Sequence, residues 1–126
     1  MDTNETIKGY EIKERIGKGG CGAVFLAQKE NKNYAMKIIS FLTKDEIEYY
    51  QKILNALYKI RSEYVIKYYE SFVENECLYI VMEYGGNTDL KKFIENKKPL
   101  LIEEKIIKDI IIQICLGLKE IHKNIN

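Results

Sequence analysis

Residues 17–24 read Gly17-Lys18-Gly19-Gly20-Cys21-Gly22-Ala23-Val24 and match the pattern G-x-G-x-x-G-x-V at every fixed position. Glycines at this spacing let a backbone approach a phosphate chain closely and turn its N–H groups toward the oxygens. An ordinary hairpin turn and the phosphate loop of a dinucleotide-binding fold show similar glycines. The dinucleotide loop must open a helix, whereas the apolar run 23–28 that follows here is typical of a strand. The stretch therefore indicates a glycine-rich turn between two strands.

Strands are predicted on both sides of this turn. Residues 10–16 alternate between apolar and polar side chains, and residues 34–40 are rich in isoleucine and aromatic character. The polar residues 30–33 separate the second strand from the third, and Asn33 would tolerate a positive φ there. Together these runs predict an antiparallel meander of three strands.

A helix and a hairpin are predicted next. Apolar residues recur at three- and four-residue steps over 43–60, which indicates an amphipathic helix. Thr43 is its expected N-cap, with Glu46 in an acidic first turn. Two further apolar runs, 64–72 and 77–84, are joined by a polar turn and predict a hairpin.

The last third of the chain is predicted to be helical. After a flexible break at Gly85-Gly86-Asn87, Thr88 is expected to cap a short helix that ends before Pro99. A long helix is predicted over 102–123. Its broad apolar face consists of Ile106, Ile107, Ile110, Ile111, Ile114, Leu118 and Ile121. The predicted fold class is therefore α+β, a five-stranded antiparallel sheet with one helix, followed by two helices.

Composition excludes several classes of protein. The 126 residues carry a formal net charge of +1, which argues against a nucleic-acid partner because polyanion binders usually show a basic excess. The three cysteines form no CxxC pair, so neither a metal site nor a disulfide framework is expected. No signal peptide or membrane span is recognisable, and we expect the cytoplasm, with the nucleus as a possible site.

Lys37 lies in the middle of the apolar strand Tyr34-Ala35-Met36-Lys37-Ile38-Ile39. A lysine at such a position is costly unless it is paired or its ammonium group reaches water. It follows the glycine-rich turn by one strand and stands two residues from Ala35, which is small enough to admit a flat ring. This spacing favours a functional role for Lys37 over a surface role.

The glycine pattern and this strand together resemble the eukaryotic-type protein kinase family, in which a glycine-rich loop covers ATP and a third-strand lysine follows. A third stretch, from Leu78 to Gly86 and continuing to Asp89-Leu90, resembles the fifth strand and hinge of kinases. The run 64–72 resembles cytosolic Ser/Thr kinases, including the NimA-related group. The resemblance covers about residues 10–126 and implies a small lobe over 1–82, a hinge over 83–87 and the start of a large lobe over 88–126.

The resemblance implies ATP with Mg²⁺ as cofactors and a protein as substrate. Lys37 would contact the α- and β-phosphates, Met82 would be the gatekeeper, and the backbone of Glu83 and Gly85 would bind the adenine edge. Asp89 would lie near the ribose and the substrate. The full nucleotide site implied is Ile16, Gly17, Lys18, Gly19, Gly20, Cys21, Gly22, Val24, Ala35, Lys37, Met82, Glu83, Tyr84, Gly85 and Asp89.

Two departures from the kinase pattern stand out. Kinases pair the lysine with a glutamate on the following helix, and the usual register places Ile53 at that position. Glu46 could substitute only if the helix shifted. The catalytic loop and the metal-binding motif are absent, so the magnesium ligands are expected beyond Asn126 and the chain alone is expected to be inactive.

Two interpretations of function follow. The chain is either the ATP-binding part of a Ser/Thr protein kinase or a pseudokinase-like module that binds nucleotide or acts as a scaffold by protein contact. The apolar face of the last helix also predicts self-association, because a face that wide requires cover.

Overall fold

The computed structural model describes residues 4–86 and 88–124. Its elements are β1 Thr6–Ile7, β2 Tyr10–Gly19, β3 Gly22–Lys29, β4 Lys32–Ser40, α1 Lys44–Tyr58, β5 Tyr68–Glu74, β6 Cys77–Glu83, α2 Leu90–Lys97 and α3 Glu104–Asn124. The strands form one antiparallel sheet of six strands in the order β1-β2-β3-β4-β6-β5. The α+β class is confirmed, but the prediction of five strands was wrong by one. The additional strand, β1, has two residues, too few to show a period.

The glycine motif is a hairpin rather than a loop that begins at Gly17. β2 continues to Gly19 and β3 begins at Gly22, so only Gly20 and Cys21 lie outside the strands. Register shifts interrupt β2 between Ile12 and Glu14 and again between Arg15 and Gly17. Such bulges bend a strand and increase its twist, which curves the hairpin as it approaches its tip.

Two-residue turns close the next two hairpins. Glu30 and Asn31 have φ values of +51° and +62°, and Asn75 and Glu76 have φ values of +51° and +63°. Positive φ at both central residues is what the tightest hairpin turn requires. Asn33, which would tolerate a positive φ, does not adopt one, because it lies on β4 opposite Gln28.

Two apolar clusters lie on opposite faces of the sheet. The Tyr10 hydroxyl donates a 3.0 Å hydrogen bond to Glu70, which joins β2 to β5 although three strands separate them in the sheet. The sheet is therefore curled. The first cluster fills the curl and consists of Tyr10, Ile12, Phe25, Ala27, Met36, Phe72, Tyr79 and Val81. The second packs α1 against the other face and consists of Ile39, Leu54, Tyr68, Leu78 and Ile80.

Helix starts follow the capping residues. Thr43 caps α1 as predicted, in a capping box with Glu46. The cap of α2 is Asp89, whose carboxylate accepts from the Lys92 N–H at 2.8 Å, so the prediction of Thr88 was one residue early. Strand β5 begins at Tyr68 rather than residue 64, since residues 61–67 form a connection between α1 and the sheet.

The apolar face of α3 remains largely exposed. Ile107, Ile111, Ile114 and Leu118 are between 43% and 54% accessible. The buried residue of α3 is Gly117, where an added Cβ would lie 2.7 Å from the Tyr64 carbonyl oxygen. A helix backbone thus approaches the 61–67 connection where a side chain would not fit. Within the described residues, no helix is long and apolar enough to cross a membrane.

Candidate functional site

A cavity of about 280 Å³ lies where the sheet meets the segment that leads to α2. Its lining consists of Ile16, Val24, Ala35, Ile66, Met82, Glu83, Tyr84, Gly85, Gly86, Thr88, Asp89 and Lys92. Four apolar members come from β2, β3, β4 and β6, Ile66 comes from the connection before β5, and the polar members cluster after Met82. A slot with apolar walls and a polar rim of this kind is typical of a small-molecule site.

Strand register explains how the walls of the cavity meet. Val24 lies opposite Gly17 on one side and Lys37 on the other. Ala35 lies opposite Met82 in the neighbouring strand. Because side chains alternate along a strand, Ala35, Lys37 and Ile39 share the face on which Ile39 packs against α1. Lys37 therefore lies on the face of the sheet that carries the cavity and the helix.

The segment after β6 forms the open edge of the cavity. The segment has open space around it, since nothing lies within 4 Å of a Cβ added at Gly85 or Gly86. Gly86 has a φ of +88°, a conformation that glycine adopts without strain. Asn87, the last residue of the predicted hinge, lies outside the described residues.

The glycine hairpin lines a second and larger cavity, of about 790 Å³. Lys18, Gly19, Gly20, Cys21 and Gly22 line it together with Arg15, residues of β3 and β4, and Tyr50 of α1. The predicted site residues are thus divided. Ile16, Val24, Ala35, Met82, Glu83, Tyr84, Gly85 and Asp89 line the smaller cavity, the hairpin residues line the larger one, and Gly17 and Lys37 line neither.

Similarity to known proteins identifies the family of the chain. The sequence matches the family described as "Protein kinase domain" over residues 10–125. The chain belongs to the protein kinase family. It is 37% identical over 116 residues to mouse serine/threonine-protein kinase Nek3, a match that covers 90% of this chain and 22% of that protein. Human serine/threonine-protein kinase Nek5 is 35% identical over 117 residues, covering 90% of this chain and 16% of that protein.

Solved kinase structures share the fold. The Mycobacterium tuberculosis PknI kinase domain superposes with a TM-score of 0.83 at 18% identity, over 98% of this chain and 51% of that chain. At that identity the likeness concerns the fold alone. The kinase chain described here spans about half of that domain and less than a quarter of the curated relatives Nek3 and Nek5.

Lys37 has no carboxylate partner in the part of the chain that the structure describes. Ion pairs form there between Lys13 and Glu11 and between Lys108 and Glu104. Glu46 is held at the start of α1, where its carboxylate accepts the Thr43 N–H at 2.7 Å. Ile53 lies on α1 and is partly buried. Within the described residues, α1 therefore provides no carboxylate that pairs with Lys37.

Four residues of the smaller cavity were missing from the predicted site: Ile66, Gly86, Thr88 and Lys92. Ile66 belongs to an apolar run that is typical of a strand, but it lies in the connection before β5 and lines the cavity from there. No motif marks it. Gly86 lay within the predicted hinge, and only the fold shows that Lys92, one turn into α2, reaches the same rim.

A metal site is not formed by these residues. In 4–86 and 88–124, no group of three His, Cys, Asp or Glu side chains could hold an ion. Asp89 is the acid at the smaller cavity beside Glu83, and one of its oxygens already accepts the Lys92 N–H. The smaller cavity therefore combines apolar walls with polar groups at one edge.

Proposed function

We propose that the cavity beside Glu83 binds the adenine ring of ATP, and that this chain is the nucleotide-binding part of a Ser/Thr protein kinase. The observation that carries the proposal is the composition of the cavity. Ile16, Val24 and Ala35 offer apolar walls, and the backbone of Glu83 to Gly85 offers polar groups along one edge. Adenine needs this combination, because its faces are apolar and its edge makes hydrogen bonds.

The proposal divides the chain into a small lobe over 1–82, a hinge over 83–87 and the start of a large lobe over 88–126. Lys37 and the glycine hairpin would meet the phosphates. The family reaction transfers the ATP γ-phosphate to a protein hydroxyl, chemistry that depends on positioning and charge stabilisation. Mg²⁺ accompanies ATP in this family and neutralises charge on the phosphates. Free thiols at Cys21, Cys77 and Cys115 suit a reducing compartment such as the cytoplasm or nucleus.

Nucleotide titration of the Lys37→Met variant tests the phosphate contact. A hydrogen bond to a charged group contributes about 1.5–3 kcal/mol, so we expect ATP affinity to fall by roughly 10- to 150-fold. Lys52→Met is the matched control, since it removes the same charge from the exposed side of α1. Calorimetry or fluorescence would measure both. Equal ATP affinity in the wild type and Lys37→Met, or no ATP binding by the wild type, would contradict the proposal.

The second candidate is a pseudokinase-like module that binds nucleotide or acts as a scaffold by protein contact. The observation that favours it is Lys37 without a carboxylate partner, with Ile53 where the acid is expected. Ile53→Glu separates the two. If the site retains kinase geometry, the new carboxylate pairs with Lys37 and tightens ATP binding. An unchanged ATP affinity would favour the scaffold.

We also propose that the exposed face of α3 joins a second copy of this chain in an antiparallel pair. Ile107, Ile111, Ile114 and Leu118 recur at steps of four, three and four, the spacing of a coiled-coil seam. The first half of the helix and its lead-in carry Glu103, Glu104, Lys105, Lys108 and Asp109, a net −1. The second half carries Lys119, Glu120 and Lys123, a net +1. Antiparallel pairing therefore sets opposite charges side by side.

Light scattering with and without Ile111→Glu tests this pairing. A charge in the seam should lower the measured mass toward that of one chain, because it cannot be buried unpaired. Gln113→Glu adds the same charge outside the seam and should leave the mass unchanged. A wild-type chain that is monomeric at all concentrations would contradict the proposal.

A further inference from the structure

The hinge residue Glu83 makes an unusual pair with Lys67. The register of β5 with β6 places Tyr68 opposite Met82, so the next pair along is Lys67 with Glu83. The Glu83 N–H donates to the Lys67 carbonyl oxygen at 2.8 Å. This bond extends the ladder one residue past the end of β5, and it ties the connection that contains Ile66 to the edge of the cavity.

The return bond of this pair comes from a side chain. In an ordinary hydrogen-bonded antiparallel pair, the two residues exchange two backbone bonds, N–H to carbonyl in each direction. Here the Lys67 N–H donates at 3.0 Å to the Glu83 carboxylate oxygen Oε2. The Glu83 carboxylate therefore takes the place that its own backbone carbonyl would occupy in a regular ladder.

Because the Glu83 carboxylate accepts the Lys67 N–H, the Glu83 carbonyl does not take part in the ladder at this pair. The N–H and C=O of one strand residue point to the same side of the strand, so the carbonyl of Glu83 points toward Lys67 and Ile66. Both Ile66 and Glu83 line the smaller cavity. An acceptor that the ladder does not use is thus presented to a mostly apolar cavity, where a ligand N–H is the partner that would satisfy it.

Aromatic contacts behind the hinge hold Lys67 in place. The Lys67 ammonium lies 4.8 Å from the centre of the Tyr69 ring. The Tyr69 hydroxyl accepts a 3.1 Å hydrogen bond from Lys32, and this hydrogen bond raises the pKa of Lys32. Tyr34 packs edge-on against Tyr69 with 5.1 Å between the ring centres. The Glu83 carboxylate also raises the pKa of Lys32 through its charge. The ring contacts of Lys67 and Tyr34 with Tyr69 do not include the Glu83 side chain, so Lys67 should keep its position when that side chain is removed.

We propose that the Glu83 side chain is a positioning group that keeps the Glu83 carbonyl available to the amino group of adenine. The inference rests on the proposed nucleotide site and names what makes that site selective. Without the carboxylate, the acceptor nearest to the Lys67 N–H is the Glu83 carbonyl itself. The pair would then close into a regular ladder, and the ligand would lose its acceptor.

The test compares two ligands that differ at one group, ATP and purine riboside triphosphate, which lacks the 6-amino group. In the wild type we expect ATP to bind about 2- to 10-fold more tightly, the value of one neutral hydrogen bond. In Glu83→Ala we expect this ratio to fall to about 1 through loss of ATP affinity alone. Glu83→Gln keeps a side-chain oxygen as acceptor and should restore the ratio. Glu74→Ala removes an exposed glutamate from the same hairpin and is the matched control.

Each outcome of this comparison supports or overturns the positioning role of the Glu83 side chain. An unchanged ratio in Glu83→Ala overturns the inference, as does an equal loss for both ligands with a lowered melting temperature, which would show a merely structural role. Equal affinity of the wild type for the two ligands overturns it as well and leaves the nucleotide site standing. If the wild type binds neither ligand, the proposed function fails, and this inference fails with it.

Discussion

Replacing Gly22 with alanine is the sharpest test of how the glycine motif is built. Gly22 has a φ of +142°, and a Cβ placed on it would lie 2.3 Å from the Ile38 carbonyl oxygen and 3.2 Å from the Ile38 carbonyl carbon. Both contacts are to the backbone of β4, which is hydrogen-bonded to its neighbours on both sides. No side chain can rotate away to relieve them.

The expected loss of stability follows from two terms. A non-glycine residue held at such a φ costs about 1–3 kcal/mol. Forcing an additional methyl group into a packed site costs a further ~1–3 kcal/mol. Alanine recovers about 0.4–1 kcal/mol by restricting the unfolded chain. The free energy of unfolding should therefore fall by about 1–5.6 kcal/mol, a large part of the ~5–15 kcal/mol typical of a domain.

Urea denaturation of Gly22→Ala beside Gly20→Ala measures this loss. Nothing lies within 4 Å of a Cβ built on Gly20, and its φ lies outside the range that excludes side chains. Its substitution should change the unfolding free energy by no more than about 0.5 kcal/mol. If the two variants unfold at the same urea concentration, the steric argument for Gly22 is wrong, and its role must lie in ligand contact.

Two further predictions concern the helix cap and the alkaline limit of stability. Asp89→Ala should destabilise the protein by about 1 kcal/mol because the Lys92 N–H loses its acceptor, while Thr88→Ala should have a smaller effect; equal thermal shifts would contradict the assignment of the cap. Burial, and then the hydrogen bond to Glu70, raise the pKa of Tyr10 above its ordinary value. Since the folded protein holds this proton longer than the unfolded chain does, stability should decline as pH rises above about 10. Tyr10→Phe should make that decline shallower in urea titrations, and identical pH slopes would refute the link.

Local sequence determined much of the fold. The Thr43–Glu46 capping box is contained within four residues, so its presence follows from the sequence alone. The alternation along β2 and β4 and the helical period of α1 are likewise local, and the structure confirms these elements. The family also follows from the sequence, because the glycine motif, the lysine strand and the hinge stand in a recognisable order.

The sequence did not specify the helix cap or the turn residues to within one position. Thr88 and Asp89 are adjacent and both are good caps, and only the path of the chain after β6 selects Asp89. The positive-φ residues Glu30 and Asn31 are fixed by the pairing of β3 with β4, which places Lys29 opposite Lys32. Register depends on partners across the sheet, so composition near a turn does not specify it.

Motifs in the sequence named many of the candidate residues, whereas the contacts that each residue makes depend on the tertiary structure. Gly22 looks in sequence like a residue kept small for a phosphate, yet the fold shows the Ile38 carbonyl where its side chain would be. Ile66 carries no motif, but the connection before β5 brings it to the cavity. The exchange between the Glu83 carboxylate and the Lys67 N–H joins groups 16 residues apart. Contacts of this kind depend on how distant strands meet, and no local pattern records that geometry.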